Sequence, residues 1–446
     1  MTHVTTSSAL PVVPPRYQRS PKAHIYAANF PEASLSVECG RARCYPGLVG
    51  DAPDTRALYL VAAELLAGAQ SVVDLGCGSG MGVAELSTRF KSVSAVDADA
   101  GAVAFVRQYL ARAPHVAVVR ASLGDGVEPA VRHDAGCVID MLGHTANPVA
   151  ALRGAHRWLS ESGRLFLAEP RAYPNQALLP PVLRAFTRPG LTQLLLRSGW
   201  EVERWLDDLG NFVACVLVPS KEDGWLWLER GDRARQQGNA GAALEAYATA
   251  AQRGSAALGT EALLGCAAVH VERGELDAAC RCLLDAAQTS AGHPRALAGL
   301  AEISLLTGDA RQALALAVRA LETDPCELSA VQAMAGAADR LEQPEAFASW
   351  RIANGLAPSD LASAIEASRL AAAHGELPYA IWVLERVRRF RSDLGADFHV
   401  TLAWLYAARE RFGQARLEAE LARVQEPDSA AVAELLAHLD SITSAS

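Results

Sequence analysis

Apolar positions divide this chain into two halves with different periods. In the first half they come as short runs, Val72–Leu75, Val93–Asp97, Val116–Val119, Ala135–Asp140 and Gly163–Ala168. Runs of four to six residues rich in Val, Leu and Ala, bounded by glycine or an acid, read as buried strands. Asp51–Ala67 has the other period. Leu58, Val61, Ala62, Leu65 and Leu66 make one helical stripe, Asp51 or Asp54 can cap it, and Gly68 ends it. An apolar run from Val83 to Phe90 and the segment Leu191–Ser198 also read as helical. Glu201–Leu206 and Asn211–Val218 are strands joined by Asp207-Asp208-Leu209-Gly210, which makes them a hairpin.

Beyond the polar link at residues 219–224 the strand signals stop. Ala and Leu dominate, and a small residue recurs, followed four and seven residues later by Tyr247/Ala250, Leu283/Ala286, Ala317/Ala320, Trp350/Ala353, Leu384/Val387 and Ala419/Ala422. The small residue falls at Ala243, Ala279, Ala313, Ala346, Ala380 and Ala415, with spacings of 36, 34, 33, 34 and 35 residues. Gly238, Gly274, Gly308 and Gly375 precede their small residue by five, and Pro325, Pro358 and Pro427 end units at a common offset. The first unit keeps Trp227 and Gly231 near its start. Small residues let two antiparallel helices cross closely. No such unit buries its face alone, so the units must stack. Ser429–Ile442 reads as a capping helix. This half resembles the tetratricopeptide repeat, most closely in its third unit. The RNA-reading pentatricopeptide repeat has a similar length, and the alanine and proline signature argues against it.

The first strand runs into Asp74-Leu75-Gly76-Cys77-Gly78-Ser79-Gly80-Met81-Gly82, a glycine-rich turn opening a helix. A dinucleotide site needs G-x-G-x-x-G, but the sixth position from Gly76 is Met81 and from Gly78 is Val83. A P-loop needs a lysine, and none lies near. Asp-x-Gly-x-Gly-x-Gly resembles the first motif of class I S-adenosylmethionine-dependent methyltransferases. That resemblance implies that Asp74, Gly76, Cys77, Gly78 and Gly80 line the methionine and ribose part of the cofactor. Asp97 and Ala98 end the second strand, 21 residues after Gly76 for Asp97. A carboxylate at that spacing can accept both ribose hydroxyls, or it can simply cap the next helix.

The same resemblance places Ser122 and Leu123 near the adenine, although the family commonly has an acid there. It places Asp140 and Met141 beside the methionine part, and His144 toward the methyl acceptor. An imidazole can take a proton from an attacking hydroxyl or amine; a purely structural histidine is the other reading. Glu169 and Arg171 follow the fifth strand and are acceptor-site candidates, or a surface pair. Residues 172–190, with four prolines, are expected on the substrate side. Residues 16–50 interleave Arg16, Tyr17, Arg19, Tyr26, Phe30, Arg41, Arg43 and Tyr45. They form either an irregular arm or a lid, and Tyr17, Tyr26, Arg41 and Tyr45 are its substrate-contact candidates.

Composition narrows the function. Half of the 446 residues are apolar, enough for two or three cored domains. No run is long and apolar enough for a membrane span, and Met1–Pro15 lacks the pattern of a signal peptide. The nine cysteines are scattered, and Cys280-x-Cys282 has the wrong spacing for zinc, so no metal is expected and the thiols fit a reducing cytoplasm. Residues 1–220 carry 20 Lys+Arg against 19 Asp+Glu, whereas residues 221–446 carry 21 against 31. An acidic second half argues against nucleic acid as a partner.

The expected fold class is a Rossmann-like α/β methyltransferase sheet, mostly parallel with an antiparallel last strand, plus an all-α repeat solenoid. The expected domains are an arm at 1–50, a methyltransferase domain at 51–219 and about six repeats with a capping helix at 222–446. The expected function is S-adenosylmethionine-dependent methyl transfer to an oxygen or nitrogen of a small molecule, glycan or polypeptide, with a protein or peptide held on the concave repeat face. A non-catalytic repeat scaffold with a vestigial cofactor domain is the alternative, and self-association through the repeats is compatible with either.

Overall fold

A computed structural model describes residues 53–174, 183–207, 209–289, 292–389, 391 and 393–445. Residues 16–50, with Tyr17, Tyr26, Arg41 and Tyr45, lie outside the described residues, as does Asp51. The chain forms two compact units. One runs to Arg171 and again from Leu191 to Trp225; the other comprises Ala172–Gly190 and Leu226–Ser446.

In chain order the first unit holds α1 (Pro53–Leu65), β1 (Ser71–Leu75), α2 (Met81–Leu86), β2 (Ser92–Asp97), α3 (Ala100–Tyr109), β3 (Val116–Arg120), β4 (His133–Ile139), α4 (Pro148–Trp158), β5 (Leu159–Pro170), α5 (Arg188–Arg197), β6 (Trp200–Leu206) and β7 (Phe212–Pro219). The seven strands lie in the order β3-β2-β1-β4-β5-β7-β6. The strands β1 to β5 pair in parallel, and β7 runs antiparallel between β5 and β6. The antiparallel hairpin at the end of the sheet is the one its short polar link requires. Val72, Val73, Leu75, Leu165 and Phe166 are fully buried, which is why their runs carry no polar alternation. β5 begins four residues earlier than its apolar run: Leu159 pairs with His133 across an irregular register, and the polar Ser160–Ser162 stretch hides that start from a hydrophobicity reading.

β2 lies on one side of β1 and β4 on the other. The chain therefore reverses direction across the sheet after β3, and the carboxyl ends of β1, β2 and β4 flank a crevice.

The second unit stacks helices in pairs: α6 (Gly224–Gln236) with α7 (Ala240–Arg253), α8 (Ala256–Glu272) with α9 (Leu276–Thr289), α10 (Pro294–Leu306) with α11 (Ala310–Thr323). It continues with α12 (Leu328–Arg340) and α13 (Glu345–Leu356), α14 (Leu361–Ala373) and α15 (Leu377–Arg388), α16 (Ala396–Ala408) and α17 (Phe412–Gln425), then α18 (Ala430–Ala445). The six small residues of the repeat sit at the start of the second helix of each pair and are at most 5% exposed. Where the residue four later is large, it fills the gap between helices. The Tyr247 ring is so close to Gly231 on α6 and Gly265 on α8 that a Cβ at either would lie 2.5–2.6 Å from it.

Each pair turns in the same way. The N–H three residues past the end of the first helix reaches back to a carbonyl five residues upstream, as in Asp309 to Ser304 (2.8 Å) and Arg411 to Tyr406 (2.9 Å). The residue between is left-handed: Gly238, Gly274, Gly308 and Gly375 in four units, but Glu342 (φ 54°) and Glu410 (φ 59°) in the other two. The fourth unit is one residue short, because Ala346 follows its left-handed residue by four rather than five. The residues before the unit-ending prolines, Asp324, Ala357 and Glu426, all have φ −133° or −134° and lie outside the helical region, which proline disfavours in its predecessor.

Candidate functional site

The glycine turn is tied to the neighbouring strand. The N–H groups of Gly76 and Cys77 both donate to the Val96 carbonyl on β2, at 2.8 and 3.0 Å. Gly76, Gly78 and Gly80 all have positive φ, where a side chain is disfavoured. At Gly76 there is also no room, since a Cβ would stand 2.3 Å from Cγ of Met141. At Gly78, by contrast, no atom of the described residues lies within 4 Å of the missing Cβ. The turn is thus packed at Gly76 and clear of described residues at Gly78.

Asp97 closes the turn from the end of β2. Its Oδ2 accepts the Gly78 N–H and its Oδ1 the Asp99 N–H, both at 2.8 Å. Each carboxylate oxygen keeps capacity for a second donor. The helix cap is Asp99, which accepts from Ala102 N–H at 2.7 Å, so Asp97 is not spent on capping α3. Ala98 is exposed beside it and its carbonyl accepts from Arg120. Ser122 and Leu123 begin a single 3-10 turn after β3 and are partly buried.

Asp74 is fully buried beneath the turn. Its partner is Tyr59 of α1, whose hydroxyl is 3.1 Å from both carboxylate oxygens. Burial raises the Asp74 pKa to about 7 against the lowering by Tyr59. The Tyr59 ring lies against Gly82, where a Cβ would fall 2.0 Å from it. Sequence reasoning missed Tyr59. The available signal was its place one residue off the α1 stripe, in register with Ala62, Ala63 and Leu66, where a ring with a polar tip needs a buried acceptor. Cys77 is buried, which pushes its thiol pKa far up and leaves it an inert neighbour of the turn.

After β4 the chain makes a strained bend. Asp140 has φ 52°, a conformation non-glycine residues rarely adopt, and its N–H donates to Ala168. Thr145 Oγ1 ties back to the Met141 carbonyl at 2.9 Å, and His144 Nε2 lies 3.7 Å from Asp140 Oδ1. Met141, packed on Gly76, joins this bend to the glycine turn.

Glu169 holds the bend from below, which corrects its expected place as an acceptor contact. It is fully buried at the end of β5. Oε1 accepts from Met141 and Leu142 N–H at 3.0 and 2.8 Å, and Oε2 from Gly143 at 3.1 Å. Burial lifts its pKa to about 7 against those hydrogen bonds. Arg171 does not pair with it. Arg171 is partly buried and donates to the Phe212 carbonyl of β7 at 3.2 Å. The structure therefore brings together the glycine turn, Asp97, Asp140, Met141 and His144 along the crevice, with Glu169 bonded to the backbone of that bend and Arg171 bonded to β7. Residues 172–190 are grouped with the helical unit, not with the sheet.

Among the described residues no cluster of three or more His, Cys, Asp or Glu is placed to hold a metal ion, and no helix is long and apolar enough to cross a membrane.

Residues 73–167 match the family model of a methyltransferase domain. No curated protein matches the chain. Among solved structures, the 1,6-didemethyltoxoflavin-N1-methyltransferase of Burkholderia thailandensis is 18% identical, over 47% of this chain and 94% of that one, with a TM-score of 0.35. A putative methyltransferase of Bacillus halodurans is 20% identical, over 34% and 71%, with a TM-score of 0.30. PilF of Pseudomonas aeruginosa is 16% identical, over 48% and 97%, with a TM-score of 0.42. The match to a methyltransferase domain thus falls on β1 to β5, and the helix pairs follow it in the chain.

Proposed function

We propose that the first unit is an S-adenosylmethionine-dependent methyltransferase acting on an oxygen or nitrogen nucleophile, and that the helical unit binds a protein or peptide partner or substrate. The observation that carries this is the one-sided glycine turn. Its inner face is filled by Met141 and Tyr59, no described residue comes within 4 Å of the missing Cβ at Gly78, and Asp97 stands beside it with acceptor capacity left. S-adenosylmethionine, when bound, supplies a methyl group on a positively charged sulfur. Asp97 accepts from the ribose hydroxyls, the glycine turn and Asp140-Met141 flank the amino-acid part, and Ser122 and Leu123 lie toward the adenine.

The rest of the work is positioning. An oxygen or nitrogen acceptor that took the methyl group would have to give up its proton. His144 is the group at the crevice that can take it. Glu169 keeps His144 in place indirectly, by fixing the backbone from Met141 to Gly143.

Calorimetric titration with S-adenosylmethionine tests the reading. Wild type binds, and Asp97→Ala binds at least ten-fold more weakly, because hydrogen bonds to a charged acceptor contribute about 1.5–3 kcal/mol each. No binding by wild type defeats the cofactor assignment, and equal binding by both defeats the role of Asp97.

A further inference from the structure

Between the fifth and sixth helix pairs lies a cavity of about 130 Å³, lined on α15 by Pro378, Ile381, Trp382 and Glu385 and on the next turn by Arg409 and Arg411. One buried residue fixes both walls. Tyr406 of α16 is 3% exposed. Its hydroxyl donates to Glu385 Oε1 at 2.7 Å, and its carbonyl accepts from the N–H groups of Arg409 and Arg411 at 3.1 and 2.9 Å. Between those arginines Glu410 is left-handed (φ 59°), where four of the other five turns have glycine. Backbone strain of that kind clusters at ligand sites.

Trp382 is the platform of the cavity. The Arg386 guanidinium stands over its ring, 4.7 Å from the centroid. Arg386 is itself buried and donates to the Asn354 carbonyl and Oδ1, both at 2.7 Å. The Tyr379 ring lies 5.8 Å away. With one face covered in this way, the indole is still 41% exposed where it lines the cavity. An aromatic surface backed so firmly loses little freedom when a ligand lies on it.

Charge narrows the ligand. Glu385 and Glu410 stand against Arg409 and Arg411, so acids and cations balance at this place. An anion meets the two carboxylates and a cation meets the two guanidiniums, and net charge favours neither. A wholly apolar group strips water from Glu385 and the arginines and gives no hydrogen bond in return. A pyranose ring meets every demand. Its C–H face lies against the negative π-face of the indole. Its hydroxyls are donors and acceptors at once, so they pair with the carboxylate and with the guanidiniums together. The cavity is smaller than the roughly 300–1,000 Å³ of sites for drug-sized ligands, which fits it to a single ring.

We propose that this cavity is a saccharide-binding site for one neutral pyranose ring, stacked on Trp382 with its hydroxyls bonded to Glu385, Arg409 and Arg411. The site lies within the helical unit and does not depend on methyl transfer.

The test is saturation-transfer NMR on the full chain with the methyl glycosides of glucose, galactose, mannose and glucuronic acid, followed by calorimetric titration of those that bind. At least one neutral glycoside binds, and its ring C–H protons are the most strongly saturated. Trp382→Ala weakens that binding by about ten-fold or more, and Trp382→Phe weakens it less. Arg409→Gln with Arg411→Gln also weakens it by about ten-fold or more. These two positions are exposed, so the double variant decides the matter if Trp382→Ala disturbs the helix stack. No binding of any neutral glycoside overturns the proposal. So does binding left unchanged by the tryptophan or the arginine variants, and so does methyl glucuronide binding more tightly than every neutral glycoside, since the ligand is then an anion.

Discussion

Exchanging glycine for alanine inside a helix ordinarily stabilises it by about 1 kcal/mol. At Gly82 the sign should reverse. The new Cβ would lie 2.0 to 2.4 Å from three ring carbons of Tyr59, where ordinary contact is about 3.5–4.0 Å. The ring must therefore withdraw by about 1.5 Å or more. It is itself buried, and its hydroxyl is pinned to Asp74, so withdrawal breaks that bond and leaves a buried carboxyl without its partner. Overpacking costs about 1–3 kcal/mol and the orphaned group about 1–3 more, for a net loss of about 3 kcal/mol after the helix gain. Hydrogen exchange over β1 reads this within the first unit, as protection lost by on the order of 100-fold. In a Tyr59→Leu background the same exchange should cost less than about 1 kcal/mol, giving a coupling of about 2. Unchanged protection in Gly82→Ala, or an equal cost in both backgrounds, would refute the packing argument.

His144→Asn should lower the rate of methyl transfer by about 10²–10⁴ while cofactor affinity stays unchanged, and a drop in both together counts against a proton-transfer role. Asp74 and Glu169 stand at about 7 in the fold against ordinary values of 3.8 and 4.5. The folded values are the higher ones, so the folded state holds the extra protons. Their contribution is full below about pH 4 and is lost as pH rises through about 7. Asp74→Asn should flatten that decline by up to 1.36 kcal/mol per pH unit, and parallel unfolding curves for wild type and variant would contradict it. Glu342→Gly and Glu410→Gly should each stabilise the helical unit by about 0.5–1 kcal/mol, additively because they are two units apart, whereas Gly375→Ala should cost about 1. Thermal unfolding that ranks them otherwise would show that these turns are not strained.

The central strands were legible because they are buried on both faces, so Val72-Val73 and Leu165-Phe166 stand out against loops without reference to context. The repeat was legible because close helix crossing tolerates only small residues, and the six alanines that mark its period are all buried. The glycine turn was legible through backbone geometry that few residues adopt. What escaped notice depended on contacts distant in sequence. Tyr59 meets Asp74 only after α1 packs beneath β1. Glu169 looked like a charge at a strand end, and its three backbone partners belong to a loop 26–28 residues away. The glutamates at Glu342 and Glu410 hid two turns whose shape the neighbouring glycines announce.

The segment between β5 and β6 has a consequence for how the chain is made. Thr187 donates to Asp324 at 2.8 Å, across 137 residues of sequence. At a typical 5–20 residues per second, Asp324 leaves the ribosome on the order of ten seconds after Thr187. Through that interval the sheet's own polypeptide waits, with one connection committed to a partner not yet synthesised. A chain cut after the last strand would leave Thr187 without this partner.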